Sequence, residues 1–271
     1  MKQNLHTHCV YCDGKDTPRK LVETALEKGF TDLGFSSHGW NHPMDDWSLD
    51  DEREAAYIRE VSALKEEYAD RIRLWLGIEE DLAGRVYDHD TFDYIIGSVH
   101  FVPAHPGMMA ADYSEQYTRQ MLELVWKNDF LAYARDYWNE VARLADRPEV
   151  DIVGHVDLLM KYNEGEKMFP FEDPAYLALA KEAIEKLIAA GKILEVNTGA
   201  ISRGCRTEPY PHISLLKFIH DKGGKITLTS DCHARENLDC GFDAAKQLIR
   251  QAGFTEIQML TDHGFAGMPL E

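Results

Sequence analysis

The feature that most constrains this chain is a rhythm. Short apolar runs rich in Ile, Leu and Val alternate with longer stretches of helical period. The runs are Asn4–His8, Asp32–Ser36, Arg73–Ile78, Tyr94–Val99, Ile152–His155, Ile193–Asn197 and Lys225–Ser230, with a weaker one at Ile257–Leu260. Runs of this length and composition read as buried strands. Helix signals fill the gaps. Thr17-Pro18 offers an N-cap followed by Pro at the first helical position, and Gly29 offers a stop. Ser48, with Asp51 three residues on, starts a second helix running to about Ala69. Further helical patterns cover Ser114 to about Leu144 with a break near Asn128-Asp129, Ala175–Ala190, Ile213–Lys222 and Phe242–Gln251. Strands that alternate with helices join through right-handed crossovers into a parallel sheet. Seven or eight such units, with no Gly-rich dinucleotide fingerprint, predict an α/β fold of the closed or nearly closed barrel type. With 271 residues and no linker, repeat or low-complexity tract, the expectation is one domain over 1–271.

The strand ends carry the chemistry. The first run ends in Leu5-His6-Thr7-His8, the second in Ser36-Ser37-His38, and the third in Gly77-Ile78-Glu79. The fourth ends in Ser98-Val99-His100, the fifth in Gly154-His155, and the seventh continues into Ser230-Asp231-Cys232-His233. In an α/β barrel the C-terminal strand ends converge on one mouth, where active sites lie. Residues two apart on a strand share a face, so His6 and His8 point the same way, and Asp231 and His233 are expected to repeat that geometry. A lone strand-end His is an ordinary hydrogen-bonded residue. Six such ends gathered at one mouth would bury polar groups at a cost unless they shared a ligand. Imidazole and carboxylate suit zinc, manganese or iron, and a set without obligate thiolate suits a catalytic site with open positions.

Charge and composition exclude other classes. The net charge of −18, without a Lys/Arg cluster, argues against nucleic acid and anionic membrane surfaces as partners. It is compatible with an anionic substrate, because bound divalent ions reverse the local field. No apolar run reaches the length of a membrane span, and the N-terminus has no signal-peptide core, so a cytoplasmic location is expected. The five cysteines are expected as reduced thiols. The Cys9-x-x-Cys12 pair has no second pair to complete a metal or redox motif, so it reads as a bystander near the metal site. Trp40, Trp47 and Phe101 are expected in the core, His42 at the mouth and Asn197 beside the ligands.

Taken together, His6-Thr7-His8, His38, Gly77-Ile78-Glu79, Gly97-Ser98-Val99-His100, Gly154-His155 and Ser230-Asp231-Cys232-His233 resemble the polymerase-and-histidinol-phosphatase (PHP) family of metal-dependent phosphoesterases. Tyr11-Cys12-Asp13-Gly14, Gly154-His155-Val156-Asp157-Leu158 and Glu195-Val196-Asn197-Thr198, followed by Pro209-Tyr210-Pro211, are similar to its histidinol-phosphatase branch. Asp13 stands where that branch commonly has His, and Ser37 where it commonly has an acidic residue. The resemblance implies a distorted, TIM-like (β/α)7 barrel with about two or three divalent ions (Zn, Mn or Fe) at the C-terminal strand ends. It implies one site of His6, His8, Glu79 and Asp231, a second in which Glu79 bridges to His100 and His155, and a third of Asp13, His38 and His233. The implied reaction is hydrolysis of a small phosphate monoester, L-histidinol phosphate giving L-histidinol and phosphate. Glu79, Asp231 and His233 would serve catalysis, and Arg203, with Arg206, Lys161 and His42, would serve substrate binding. The competing expectations are another nucleotide or sugar phosphate ester on the same site, an amidohydrolase, and a non-catalytic metal-binding module. Amidohydrolases share the opening H-x-H but usually lack the S-D-x-H ending. Oligomeric state is left open.

Overall fold

The computed structural model describes residues 1–41 and 46–270. Its first elements are β1 (Gln3–Asn4), α1 (Pro18–Glu27), β2 (Asp32–Phe35), α2 (Asp51–Glu67), β3 (Arg73–Asp81) and β4 (Tyr94–Ser98). A hairpin of β5 (Phe101–Ala104) and β6 (Gly107–Ala110) follows, then α3 (Glu115–Leu124), α4 (Phe130–Arg143) and β7 (Ile152–Val153). The chain continues through α5 (Pro174–Ala189), β8 (Ile193–Asn197), α6 (Gly199–Ser202), α7 (Ile213–Asp221), β9 (Lys225–Thr229) and α8 (Phe242–Gln251). It ends in a second hairpin, β10 (Glu256–Thr261) and β11 (Gly264–Pro269).

Seven strands form one sheet in the order β1-β2-β3-β4-β7-β8-β9, and all its pairings are parallel. Beyond the strand ends the sheet comes round on itself. Thr7 and Cys232 form a parallel bridge, His8 N donates to Cys232 O at 2.8 Å, and Cys232 N donates to His6 O at 3.1 Å. The fold is therefore a nearly closed, distorted (β/α)7 barrel; the spacing of the apolar runs predicts the near closure, and the family resemblance implies the seven-stranded, distorted form.

The strand pleat sorts the side chains into two sets. On β3, Leu74, Leu76 and Ile78 join the large cluster beneath the helices, whereas Trp75 joins a smaller interior cluster with Leu5, Tyr94, Ile96, Ile152, Ile193 and Leu260. Tyr94 fills the barrel interior and its hydroxyl reaches across it to Leu5 O, just past β1, and to Phe35 O on β2. Glycine is required opposite it. A Cβ on Gly77 would lie 2.3 Å from the Tyr94 ring, and one on Gly34 would lie 2.4 Å from its hydroxyl.

The eighth apolar run is not a barrel strand. The bridge between Thr7 and Cys232 already closes the mouth, and β10 finds its partner in the antiparallel β11. Leu260 instead packs into the interior cluster, held by the Gln3 side chain, which bonds both Leu260 O and Leu260 N. The second helix starts at Asp50 rather than Ser48, because the Asp50 carboxylate takes the capping role and accepts from Arg53 N at 2.8 Å. The break near Asn128-Asp129 is real. Lys127 and Asn128 have φ of 54° and 63°, and Asp129 caps the new helix. The hairpin β5–β6 has no counterpart in the apolar pattern. No described helix is long and apolar enough to cross a membrane.

Candidate metal centre

The same pleat that puts Trp75 and Gly77 inside the barrel puts Glu79 and Asp81 there, further along β3 toward the mouth. On β4 and its extension, Ser98 and His100 follow Tyr94 and Ile96, and on β8 Glu195 and Asn197 follow Ile193. The interior changes from apolar to ionisable within two residues on several strands at once. Glu79 stands at the centre and is 1% exposed. Its Oε2 lies 2.8 Å from His38 Nδ1, 3.2 Å from His6 Nε2 and 3.5 Å from His8 Nε2. Its Oε1 lies 3.2 Å from His155 Nε2 and 3.6 Å from His100 Nε2. Asp231 Oδ1 reaches His8 Nε2 at 3.4 Å and His6 Nε2 at 3.8 Å. Asp13 closes the other side, 3.1 Å from His233 Nε2 and 3.7 Å from His38 Nε2. All nine residues expected as ligands converge. Three subsets bring their ligand atoms within 4.8 Å of one another: His8/Asp13/His38/His233, His6/His8/Asp231 and His38/Glu79/His100.

This clustering has electrostatic consequences. Burial pushes the Glu79 carboxyl up, but the imidazoles of His6, His38, His100 and His155 outweigh it and hold Glu79 well below the usual range. Asp231 is likewise depressed against its burial, chiefly by Arg203 and then His6. Burial lowers His100, yet Glu79 and Asp81 raise it overall to about 9. His8 goes the other way, lowered by burial and by the neighbouring His233 and His38.

Partners behind the ligands fix their orientation. His6 Nδ1 lies 2.6 Å from Glu195, a fully buried carboxylate that also accepts from His155 N, Thr229 Oγ1 and Asn197 Nδ2. His100 Nδ1 pairs with Asp81 at 3.1 Å, and Ser98 Oγ donates to Glu79 Oε1 at 2.6 Å. With Nδ1 protonated toward a carboxylate, each Nε2 presents its lone pair inward. His6 Nε2, His8 Nε2 and Glu79 Oε2 are buried and make no hydrogen bond. Unpartnered buried atoms of this kind are costly, and three of them facing one point fit a cation between them. The donor set, imidazole and carboxylate, fits a divalent ion.

Asp231 and His233 do not reach the cluster by strand pleat. β9 ends at Thr229, and Asp231 has φ of 47°, in the left-handed region that is strained for a residue with a Cβ. That turn aims the Asp231 carboxylate at both His8 and Arg203.

A cavity of about 480 Å³ opens in front of the cluster, lined by Asp13, His38, His100, His155, Asp231 and His233 on the ligand side. Arg203 lines it, 2.7 Å from Asp231 Oδ2 and 3.0 Å from His233 Nδ1. Lys161 also lines it, paired with Asp112 at 2.8 Å. Arg206 does not. Its guanidinium is buried elsewhere, donating to Met160 O at 3.3 Å and lying 5.2 Å from the Tyr210 ring centroid. Trp47 and Phe101, expected in the core, wall the cavity, and the Trp47 ring sits 4.5 Å from the His38 ring. Trp40 lies outside it, under the Arg85 guanidinium. His42 lies outside the described residues. Asn197 bonds Glu195 and Asp231, as expected of a residue beside the ligands.

A family model for the PHP domain matches residues 4–199. The chain belongs to the PHP family. A Schizosaccharomyces pombe protein described as a probable histidinol-phosphatase is 25% identical, covering 96% of this chain and 90% of its own length. Histidinol-phosphatase of Bacillus subtilis is 26% identical, covering 90% of this chain and 97% of its own. Among solved structures, histidinol phosphate phosphatase of Lactococcus lactis, crystallised with zinc, L-histidinol and phosphate, matches with a TM-score of 0.73 at 23% identity over 98% of each chain. That likeness is one of fold.

Within this PHP domain, sequence reasoning passed over Glu195 and Asp81 as site residues. The signal was present. Each sits two residues from a residue already singled out, Asn197 and Glu79, on a strand whose inward face was known. Asp112 and Asp46, which also line the cavity, sit in loops and carry no such signal. The five cysteines are free, and burial pushes the Cys9 and Cys12 thiols up to about 12 and about 11.

Proposed function

We propose that this chain is a metal-dependent phosphatase that hydrolyses L-histidinol phosphate to L-histidinol and phosphate. The observation that carries the reading is the gathering around Glu79 of imidazoles and carboxylates from the five other strand ends, facing a cavity lined by Arg203 and Lys161. The end-to-end similarity to histidinol-phosphatases supports the choice of ester. His6, His8, Glu79 and Asp231 would hold one divalent ion, Glu79, His100 and His155 a second, and Asp13, His38 and His233 a third. Zinc, manganese or iron in those positions supplies Lewis acidity toward phosphoryl oxygens and lowers the pKa of water at neutral pH.

The chain's own residues do the rest. Arg203 grips the non-bridging oxygens with a planar fork suited to phosphate, and its pairing with Asp231 holds that fork at the cavity wall. Lys161 adds a second positive charge, held in place by Asp112. Glu195 and Asp81 keep His6 and His100 in the tautomer that points Nε2 inward. Trp47, Phe101 and Leu158 supply apolar wall, which strengthens the polar contacts made inside. L-Histidinol phosphate also carries an ammonium group and an imidazole. Asp46 and Asp112 offer carboxylates to the first, and the Trp47 and Phe101 rings offer faces to the second. Five unpaired thiols accord with a reducing, cytoplasmic setting.

The test is phosphate release from a panel of monoesters at matched metal loading. L-Histidinol phosphate should exceed nucleoside monophosphates and sugar phosphates in kcat/KM by at least ~10-fold, about the net value of one hydrogen bond. A faster nucleotide or sugar phosphate would move the assignment to that ester.

A further inference from the structure

His8 differs from His6 and His100 in what stands behind it. His6 has Glu195 at 2.6 Å and His100 has Asp81 at 3.1 Å, both carboxylates. The Nδ1 of His8 faces the Cys12 Sγ at 3.5 Å, with Asp13 Oδ1 farther away at 3.8 Å. Asp13 Oδ2 is engaged by His233 at 3.1 Å, and its Oδ1 is shared with His38 Nε2 at 3.7 Å. Cys12 Sγ in turn lies 3.5 Å from Cys9 O. A carbonyl only accepts, so the contact with Cys9 O takes the thiol hydrogen. The sulfur is then left as an acceptor, so the hydrogen between the two side chains is on the ring. The His8 Nε2 that results has its lone pair directed at the gap between Glu79 and Asp231, where it makes no hydrogen bond.

The turn that carries Cys12 is built to hold still. Cys12 N and Gly14 N both donate to Cys9 O, at 3.0 and 3.1 Å. A Cβ on Gly14 would lie 2.4 Å from Cys9 N, so the turn closes only with glycine there. The Cys9 Sγ is anchored on Ser37 Oγ at 3.3 Å, which fixes the turn to the end of β2.

We infer that Cys12 is a positioning residue for the metal centre: its thiol sulfur accepts from His8 Nδ1–H and sets the tautomer in which His8 Nε2 is the metal-facing nitrogen. The C-x-x-C pair is thus a strut behind a ligand. One thiol orients the imidazole and the other pins the turn. This rests on the metal-centre reading of the site and is independent of which ester is hydrolysed. A sulfur acceptor is weaker than a carboxylate, which makes His8 the least strongly polarised of the three imidazoles.

The test uses the full-length protein with zinc as the probe. In 15N-histidine-labelled, zinc-loaded protein, the His8 ring should show a protonated Nδ1 and an unprotonated, zinc-shifted Nε2, assigned by loss of the signal in His8→Gln. Zinc affinity, read by competition with a chromogenic chelator, should fall about 10-fold in Cys12→Ala, at the low end for loss of a group behind a ligand. Cys12→Ser, which keeps an acceptor and a donor, should recover most of it. Zinc-free Cys12→Ala should unfold at the wild-type temperature. A His8 ring bound through Nδ1 would overturn the inference, because His8 would then belong with Asp13 and His233. Unchanged zinc affinity in Cys12→Ala would also overturn it, as would a Cys12→Ser variant as impaired as Cys12→Ala. Failure of wild-type protein to bind zinc would instead remove the metal centre itself.

Discussion

Replacing Glu79 by Gln isolates the charge at the centre of the site while preserving its shape. The carboxylate presents two equivalent oxygens. Oε2 faces His38, His6 and His8 at 2.8 to 3.5 Å, and Oε1 faces His155 and His100 at 3.2 and 3.6 Å while accepting from Ser98. An amide has one oxygen and one NH2, so one of the two groups must meet a donor that cannot ligate a cation. The variant should therefore lose the bridge: one metal position loses its ligand and the other keeps only a neutral oxygen. Removal of one principal electrostatic element costs about 2.7 kcal/mol or more, which is at least ~100-fold in kcat. Glu79→Asp, which keeps the charge but shortens the reach, should fall between the two. The assay is steady-state phosphate release with metal content measured on the same samples. Circular dichroism after chelation would show that the fold persists. Near-normal turnover by Glu79→Gln at wild-type metal content would refute the bridging role and leave Glu79 as a structural carboxylate.

The other substitutions separate substrate grip, ligand support and packing. Arg203→Ala should lower kcat/KM by roughly 10–150-fold with metal content intact, the value of a charge-assisted contact of about 1.5–3 kcal/mol, and Arg203→Lys should recover only part. Arg206→Ala should leave kcat/KM nearly unchanged and lower thermal stability instead, because its guanidinium satisfies Met160 O away from the cavity; the opposite result would exchange the two roles. Glu195→Gln should weaken metal binding by ~10–100-fold in chelator competition, since His6, His155, Thr229 and Asn197 all donate to it. Gly77→Ala should destabilise the barrel by about 1–3 kcal/mol in denaturant unfolding, as its Cβ would meet the Tyr94 ring at 2.3 Å; a neutral effect would mean that Tyr94 moves freely.

Much of this centre was legible because a strand has period two and a parallel barrel gathers its C-terminal ends. Those two facts brought Glu79, His100 and His155 together from positions spread along the chain. The same reasoning stopped where the geometry ceased to be that of a strand. Asp231 and His233 were expected to share a pleated face, whereas a left-handed residue at Asp231 does the aiming. Nothing local marks that turn, since Asp is ordinary in loops. Ile257–Leu260 carries the composition of a barrel strand, and only pairing, a non-local property, makes it half of a hairpin that packs Leu260 into the barrel interior. Arg203 and Arg206 lie three apart in one loop. Which of them meets the cavity depends on the carboxylate of Asp231 and the carbonyl of Met160, both remote in sequence. Hairpin β5–β6 and the cavity residues beyond it, such as Asp112, escaped notice for the same reason: Pro103 and His105-Pro106 interrupt any periodic pattern there.

On this reading a cation-holding cluster around Glu79 enables hydrolysis of L-histidinol phosphate. The most direct test is phosphate release from that ester by one preparation in three states: as purified, stripped with a strong chelator, and reconstituted with zinc, manganese or iron(II). Metal content is read on each. The expected result is about two or three divalent ions per chain in the active protein, activity at background once they are removed, and recovery on reconstitution. Full activity in the stripped state, at less than about one ion per chain, would contradict it.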